Sequence, residues 1–578
     1  MKILKWFFNF LKSIILFIVK EIFSFFIKFA LFLFFIIIIF VAILEKEERP
    51  KIKKDIYVTI DLGEKIREKG HGKHIFEEES INFYSLIKNV MDINFNDNVK
   101  GIVLKLNGVS LSYAQLEELG KELAEIKENK NIDTIAYMED VNRKNLYIAS
   151  FVDKIYMPKT HSTVVNIFPY FKESFYKKNL LDKLGLKVNI VNTGDYKSYG
   201  EDLASSQMSK ENREDTTRIL NENYQHFLDV VSENLKYNRE SLDKIIKEGE
   251  LVAASSQDLF DKKIINGYIY WDELLRNIGE ERIVSLGEYA KNYSVYSYPR
   301  SNNKIYVLAL EGEIIHYDED IFDNMFIGST SIIKNLDKLE KDGTVKGVVL
   351  RIDSPGGSAL TSDKINNRIK EFIKKKPIYV SMGTVAASGG YYISSNATKI
   401  FADENTITGS IGVVSIIPNF SELLKKVGIN NEKISEGNFA DLYSSEQMTE
   451  EKYNKILKSN LKVYDDFLNE VAEGRKIPRE KLEKIAEGRI WTGREAVQIG
   501  LVDEVGGLSD SIFSMVTDLQ LDEDFEVVFL EEKLDVKNLY KKYSRFLKKD
   551  ALNLIKNKLY DENMYNKPIL YMPYEILE

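Results

Sequence analysis

Three settings in this chain suit chemistry: a serine at the start of a helical run, a lysine in a loop, and paired glycines after a proline. Ser388 lies in Ala386-Ala387-Ser388-Gly389-Gly390, after an apolar strand-like run and before a helical one. Such a turn sets the hydroxyl at a helix N-terminus, where free N–H groups and the dipole favour developing negative charge. Its small neighbours let a substrate backbone come close. The segment is one residue away from a G-x-S-x-G elbow, which expects a histidine partner. None of His71, His74, His161, His226 and His316 is near it in sequence. Read alone, the segment is equally a packed turn with an N-cap serine.

Asp353-Ser354-Pro355-Gly356-Gly357-Ser358 ends another strand-like run. Two glycines after a proline suit a turn that points backbone N–H groups outward, which is what a tetrahedral oxyanion needs. The base would be Lys197, in Gly194-Asp195-Tyr196-Lys197-Ser198. A lysine takes a proton only when neutral, so burial must bring its pKa from about 10.4 toward roughly 7–8. That is roughly 4 kcal/mol of disfavoured charge, attainable in an apolar pocket. A hydroxyl would help aim the amine, and Ser410 in Thr408-Gly409-Ser410-Ile411-Gly412 is a candidate. The S-x-x-K pairs Ser85/Lys88, Ser241/Lys244 and Ser331/Lys334 fall in surface-like helical stretches and are set aside.

What must position these residues is a duplication. Val99–Asn107 (VKGIVLKLN) answers Val345–Asp353 (VKGVVLRID), Ile56–Glu64 answers Ile305–Glu313, and Tyr147–Tyr156 answers Tyr392–Phe401. A unit this long is a domain and not a solenoid module. The gaps are complementary. Ser388 aligns with Arg143, the paired glycines with Asn107-Gly108-Val109-Ser110-Leu111, and Ser410 with the Thr163-Val164-Val165 region, whereas Lys197 aligns with Ala440. One copy keeps a potential nucleophile and the other a potential base. Each copy alternates apolar β-type runs with helical stretches: Ile102–Leu106 then Tyr113–Lys127, and Val348–Ile352 then Leu360–Lys374. Largely parallel sheets covered on both faces are expected.

The 578 residues suit two large domains, and 44% hydrophobic with 29% charged residues is ordinary for a globular chain. A net charge of −9 gives no reason to expect nucleic acid as a partner. The absence of cysteine removes disulfides, thiolate nucleophiles and Cys-ligated zinc. With no HExxH pattern, and with His71 and His74 reading as a solvated loop, no metal or cofactor is expected. Residues 22–44 are apolar apart from Ser24 and Lys28 and are long enough to cross about 30 Å of hydrocarbon. The run ends in Glu45-Lys46-Glu47 with no small-residue cleavage site, so an uncleaved anchor is expected over a signal peptide. Lysines and arginines flank it on both sides, so charge leaves the topology open. The expected organisation is a basic amphipathic segment 1–21, a transmembrane helix 22–44, a first repeat 55–299, a second repeat 304–529, and a helical Lys- and Tyr-rich tail 530–578 that forms a packing or assembly surface.

Taken together, the SPGGS turn, VAASGGYYIS, TGSIGV, GDYKS and GRIWTGREAVQIGLVDEVGG (Gly488–Gly507) resemble the long, membrane-anchored form of the signal peptide peptidase A family. The resemblance spans both repeats, roughly Asp55 to Asp524. It implies two tandem crotonase/ClpP-like α/β domains and a serine endopeptidase with a Ser/Lys dyad split between the halves. By position it implies Ser388 as nucleophile, Lys197 as general base, Ser410 as the group that orients the lysine, and the N–H groups of Gly357 and Gly389 as the oxyanion hole. It also implies a homotetramer on the extracytoplasmic side of a bacterial cytoplasmic membrane, anchored in lipid by its N-terminal helix, that digests signal peptide remnants. Two alternatives stay open. A crotonase-type acyl-CoA enzyme would show acidic general bases and a soluble chain, and a non-catalytic membrane scaffold would keep the fold without the dyad.

Overall fold

The structure, a computed structural model, describes residues 24–36, 53–69, 82–294, 301–316, 326–522, 524–530 and 569–572, and divides into residues 1–53 and residues 54–578. In the first unit, residues 24–36 are helical and expose Phe25, Phe29, Phe32 and Phe35. At 1.5 Å per residue that stretch covers roughly 20 Å. Among the described residues, no helix is long and apolar enough to cross a membrane. Residues 1–21 and the rest of the expected 22–44 span lie outside the described residues, as do His71 and His74.

The second unit builds the same sheet twice. In the first copy the strands run, from edge to edge, Ile283–Ser285, Ile56–Asp61, Val99–Lys105, Asp133–Tyr137, Lys154–Met157 and Gly267–Tyr268, all parallel. In the second the order is Glu526–Phe529, Lys304–Glu311, Val345–Ser354, Ile378–Ala387, Lys399–Ala402 and Glu504–Val505, again parallel. Parallel strands buried on both faces need near-continuous apolar runs, and Ile378–Ala387 is buried at all but one position. The helices Tyr113–Asn129 and Ala359–Phe372 follow the second strand of each sheet and start on serine N-caps, Ser112 and Ser358. Each copy closes its own apolar core, one around Ile102, Leu104 and Phe227, the other around Leu350, Val380 and Tyr391.

A further sheet stitches the copies together. Its order is Phe326–Ile327, Glu313–Ile314, Gly356–Ser358, Ile569–Tyr571, Val414–Asn419 and Lys187–Asn192. The last pairing is antiparallel, with Asn192 opposite Val414 and Lys187 opposite Asn419, and it lays a first-copy strand on a second-copy one. The expected helical tail is extended where it is described: Ile569–Tyr571 is a strand between Pro568 and Pro573, residues that cannot sit inside a helix. Residues 531–568 lie outside the described residues.

Buried charge also crosses between the copies. Arg351 reaches Glu68 Oε1 at 2.9 Å and Glu118 Oε1 at 2.6 Å, and donates to Ser381 Oγ at 2.8 Å. All three charged side chains are almost fully enclosed. Such a group is costly to bury unless paired, so each copy is needed to neutralise the other. Sequence reading gave no sign of this cluster.

Candidate active site

Strand Ile378–Ala387 continues to the residue before Ser388, and its C-terminal end pairs with Ile407–Gly409. The chain then breaks sharply. Ser388 has φ +55° and ψ −112° and caps the short helix Gly389–Ser394. A side-chain-bearing residue at positive φ costs about 1–3 kcal/mol, and tight packing holds it there. Its N–H donates to Gly409 O at 2.8 Å, and its carbonyl accepts from Tyr392 N at 2.8 Å. Gly390 packs against the preceding turn, where a Cβ would lie 2.7 Å from Ser354 O.

Lys197 reaches this point from the other copy. After Lys187–Asn192 pairs across, Thr193 N donates to Val413 O at 2.8 Å and Tyr196 N to Glu487 O at 3.0 Å. The lysine backbone then rests on Gly488, where a Cβ would lie 2.5 Å from its nitrogen and 2.6 Å from its Cα. Gly488 has φ +86°, so any other residue is both strained and in the way. Gly194 fits against Glu487 in the same manner. Tyr196 carries the Arg489 guanidinium over its ring at 3.5 Å, which closes the outside of the loop. Gly488 belongs to a stretch noted in the sequence, but its part in seating the lysine could not be read there, because it depends on contact with a residue of the other copy.

Lys197 is 2% exposed. Its Nζ lies 2.7 Å from Ser388 Oγ, 2.8 Å from Ser410 O and 3.0 Å from Ser410 Oγ. Burial holds the amine well below the ordinary lysine range. Ser410, like Ser388, has positive φ, at +51°, and its N–H donates to Arg489 O. The three expected side chains thus meet in one place although they come from separate elements and both copies.

The glycine pair frames the other side. Gly356 and Gly357 have φ of +107° and +146°, and a Cβ on Gly357 would lie 2.0 Å from Ile314 O. A Cβ on Gly356 would come within 2.8 Å of Gly389 N, so the two turns touch. As the first residue of its helix, Gly389 has an N–H with no intrahelical acceptor. Asp353, given no chemical role in the sequence reading, is half-buried at the start of this turn and accepts from Val385 N at 2.9 Å. Burial, with Glu68 nearby, pushes its carboxyl up to about 7.

None of the described histidines lines the recess around Lys197 and Ser410. His226 is buried against Glu117 at 2.7 Å and Arg494 at 2.8 Å, in a polar cluster that spans both copies. Of the S-x-x-K pairs set aside, Ser241 and Lys244 lie together on the helix Arg239–Lys247, with Asn238 capping it through Ser241 N. Among the described residues no group of three or more His, Cys, Asp or Glu could hold a metal ion.

The sequence profile of peptidase family S49 matches residues 126–285 and 370–522, and that of Clp protease matches residues 299–406. The chain is 30% identical to Protease 4 of Haemophilus influenzae over 76% of its own length and 73% of that protein's. It is 28% identical to the chloroplastic serine protease SPPA of Arabidopsis thaliana, over 74% of this chain and 64% of that one. A putative signal peptide peptidase SppA of Enterococcus faecium is 37% identical over 38% of this chain and 65% of that one.

Proposed function

The chain belongs to peptidase family S49 and is a serine peptidase of the signal peptide peptidase A type, and from that premise we propose that Ser388 and Lys197 are its catalytic dyad. The observation that carries this reading is the buried contact of 2.7 Å between Lys197 Nζ and Ser388 Oγ. A neutral amine has two N–H bonds and one lone pair. With the N–H bonds directed to Ser410 O and Ser410 Oγ, the lone pair is left for the Ser388 hydroxyl. Lys197 takes that proton as Ser388 Oγ attacks a peptide carbonyl. The N–H groups of Gly357 and Gly389 hold the oxyanion. The lysine passes its proton to the leaving amine as the C–N bond breaks, leaving an acyl-enzyme. Water then gives a proton to Lys197 and attacks the ester, and Ser388 leaves with its proton restored.

Further parts of the proposal concern setting. Residues 22–44 anchor the chain in a bacterial cytoplasmic membrane as a single pass, with residues 54–578 on the extracytoplasmic side, and the substrates are signal peptide remnants. The exposed phenylalanines of residues 24–36 support an apolar environment for that helix. A homotetramer is supported by the repeat itself. Residues 171–176 correspond to Val414–Asn419, and residues 430–435 to Lys187–Asn192. These counterparts lie outside any sheet and expose Phe171, Phe175 and Ile434. The strand exchange made once within the chain can therefore be made again between chains.

Hydrolysis of an apolar fluorogenic peptide by the full chain in detergent, beside Ser388→Ala and Lys197→Ala, tests the dyad. Each substitution should lower kcat by about 10⁴-fold or more. Full activity in Lys197→Ala would overturn it.

A further inference from the structure

Strand Ile378–Ala387 does not reach Ser388 in a single register. Ile352 faces Met382 and Ser354 faces Ala386, so Asp353 alone stands opposite Gly383, Thr384 and Val385. The strand therefore bulges, and at the bulge it changes neighbours. Tyr379–Met382 pair with Lys399–Ala402, whereas Val385–Ala387 pair with Ile407–Gly409. At about 3.3 Å per residue, Val385 lies about 10 Å before Ser388. Bulges beside active sites re-aim the side chains that follow them.

Side chains hold this bulge from two directions. Val385 N donates to Asp353 Oδ1 at 2.9 Å, and Thr406 Oγ1 donates to Gly383 O at 2.7 Å. Asp353 also packs onto the bulge, where a Cβ on Gly383 would lie 3.0 Å from the Asp353 Cβ. The same residue opens the turn that carries Gly356 and Gly357, and its carbonyl accepts from Gly312 N at 2.9 Å. One carboxyl thus ties the strand that leads to the glycine turn to the strand that ends at Ser388. Thr406 precedes the strand Ile407–Gly409, whose last carbonyl accepts from Ser388 N.

The first copy treats the same place differently. Asn107 is the counterpart of Asp353, and strand register makes Met138 the counterpart of Met382. Asn107 Oδ1 accepts from Glu139 N at 3.2 Å, directly after Met138. Asp353 skips the corresponding N–H and takes that of Val385. Residues 139–142 then lead to Arg143, but residues 383–387 lead to Ser388, a path longer by one residue. The copy that carries the serine has both the added residue and the carboxyl that holds it.

We propose that Asp353 and Thr406 are positioning residues for peptide hydrolysis: by fixing the bulge at Gly383–Val385 they hold Ser388 Oγ within reach of Lys197 and of the Gly357 and Gly389 N–H groups. The proposal rests on the dyad reading for its link to catalysis. Both side chains act through the main chain. What counts at Asp353 is an acceptor aimed at Val385 N, which an amide also supplies, as Asn107 does for Glu139 N.

The test uses full-length protein in detergent carrying Asp353→Val, Asp353→Asn, Thr406→Val, or Asp353→Val together with Thr406→Val. Each is assayed on the apolar fluorogenic peptide beside wild type and Ser388→Ala. Hydrogen exchange is followed by mass spectrometry in fragments covering residues 383–387. Asp353→Val should lower kcat about 10²-fold, the cost of a misplacement of about 1 Å, with KM within about twofold and faster exchange confined to those fragments. Asp353→Asn should keep kcat within about threefold and exchange as in the wild type. Thr406→Val should lower kcat about tenfold, and the double variant should lose less than the product of the two, because both act on one bulge. Equal losses in Asp353→Asn and Asp353→Val, wild-type kcat in Asp353→Val, or a loss confined to KM would overturn the proposal. Should Asp353→Val lose protection throughout the chain, Thr406→Val decides, and unchanged kcat there overturns the proposal. Full activity in Ser388→Ala would overturn the dyad reading instead, while exchange in residues 383–387 still reports whether Asp353 holds the bulge.

Discussion

The two copies share a strand order and differ in how they treat the same turns. In the second copy Ser388, Ser410, Gly356 and Gly357 all have positive φ. In the first, Arg143 begins an ordinary helix capped by Asn142, whose side chain accepts from Lys144 N and Asn145 N. Where Gly390 presses on Ser354 O, the first copy has Asn145, whose amide donates to Leu106 O. Where Gly357 lies in the stitched sheet, its counterpart Leu111 is buried in the core. Arg143 itself lies over the Tyr170 ring at 3.7 Å. At these turns the second copy holds strained backbone, and the first holds caps and packing. The difference teaches that the fold does not require the strain; the chemistry does.

Copying first-copy chemistry into the second should erase the contrast. Gly357→Leu puts a side chain where the Leu111 counterpart is buried, but into a backbone at φ +146° with Ile314 O at 2.0 Å. Activity on a fluorogenic peptide should fall roughly 10³-fold. Retention of more than a tenth of it would remove Gly357 from the oxyanion site. Ser410→Ala takes one of three polar contacts from Lys197 Nζ but leaves the carbonyl. A loss of roughly 10–100-fold in kcat is expected, with a displaced pH–rate profile that a purely structural role would not move.

The lysine itself gives a prediction of opposite sign for stability. Burial lowers its pKa in the folded chain, while the unfolded chain keeps about 10.4. The folded state thus binds fewer protons, so its penalty is absent above that unfolded value and grows as pH falls toward the folded one. Lys197→Met should therefore abolish activity yet raise the unfolding midpoint at pH 7 by about 3 °C, with the gain shrinking as pH rises and gone above about pH 10. A lower midpoint at pH 7 would contradict a neutral buried amine. In the wild type the same titration should make activity rise with pH. The smallest effect sharpens the comparison from the other side: Arg143→Ala should leave kcat/KM within about twofold, since the first-copy turn is remote from the dyad in role.

Much of this was legible because duplication supplies its own control. Ser388, Lys197 and Ser410 stood out by lacking counterparts, and the alternation of apolar and helical runs gave the parallel sheets. The rest is long-range. Strand Ile378–Ala387 looks finished at Ser381 because its second half is small residues, held by pairing with Ile407–Gly409 and not by propensity. The stitched sheet is assembled from pieces hundreds of residues apart, each too short to announce itself. Gly488 and the Arg351–Glu68–Glu118 cluster have meaning only once the copies touch. The tail strand escaped because its helical pattern belongs to residues before Pro568, and the extended piece after it pairs with a turn.

The antiparallel pairing of Lys187–Asn192 with Val414–Asn419 also has a consequence for the time before the chain is complete. The proposed base, Lys197, precedes the proposed nucleophile, Ser388, by 191 positions, and synthesis runs from the N-terminus. A nascent chain holding only the first copy has an amine with nothing to deprotonate, while the second copy has a hydroxyl with nothing to deprotonate it. On that assignment proteolytic competence arrives only when the two halves dock, so a nascent chain that ends before Ser388 carries a base with no nucleophile.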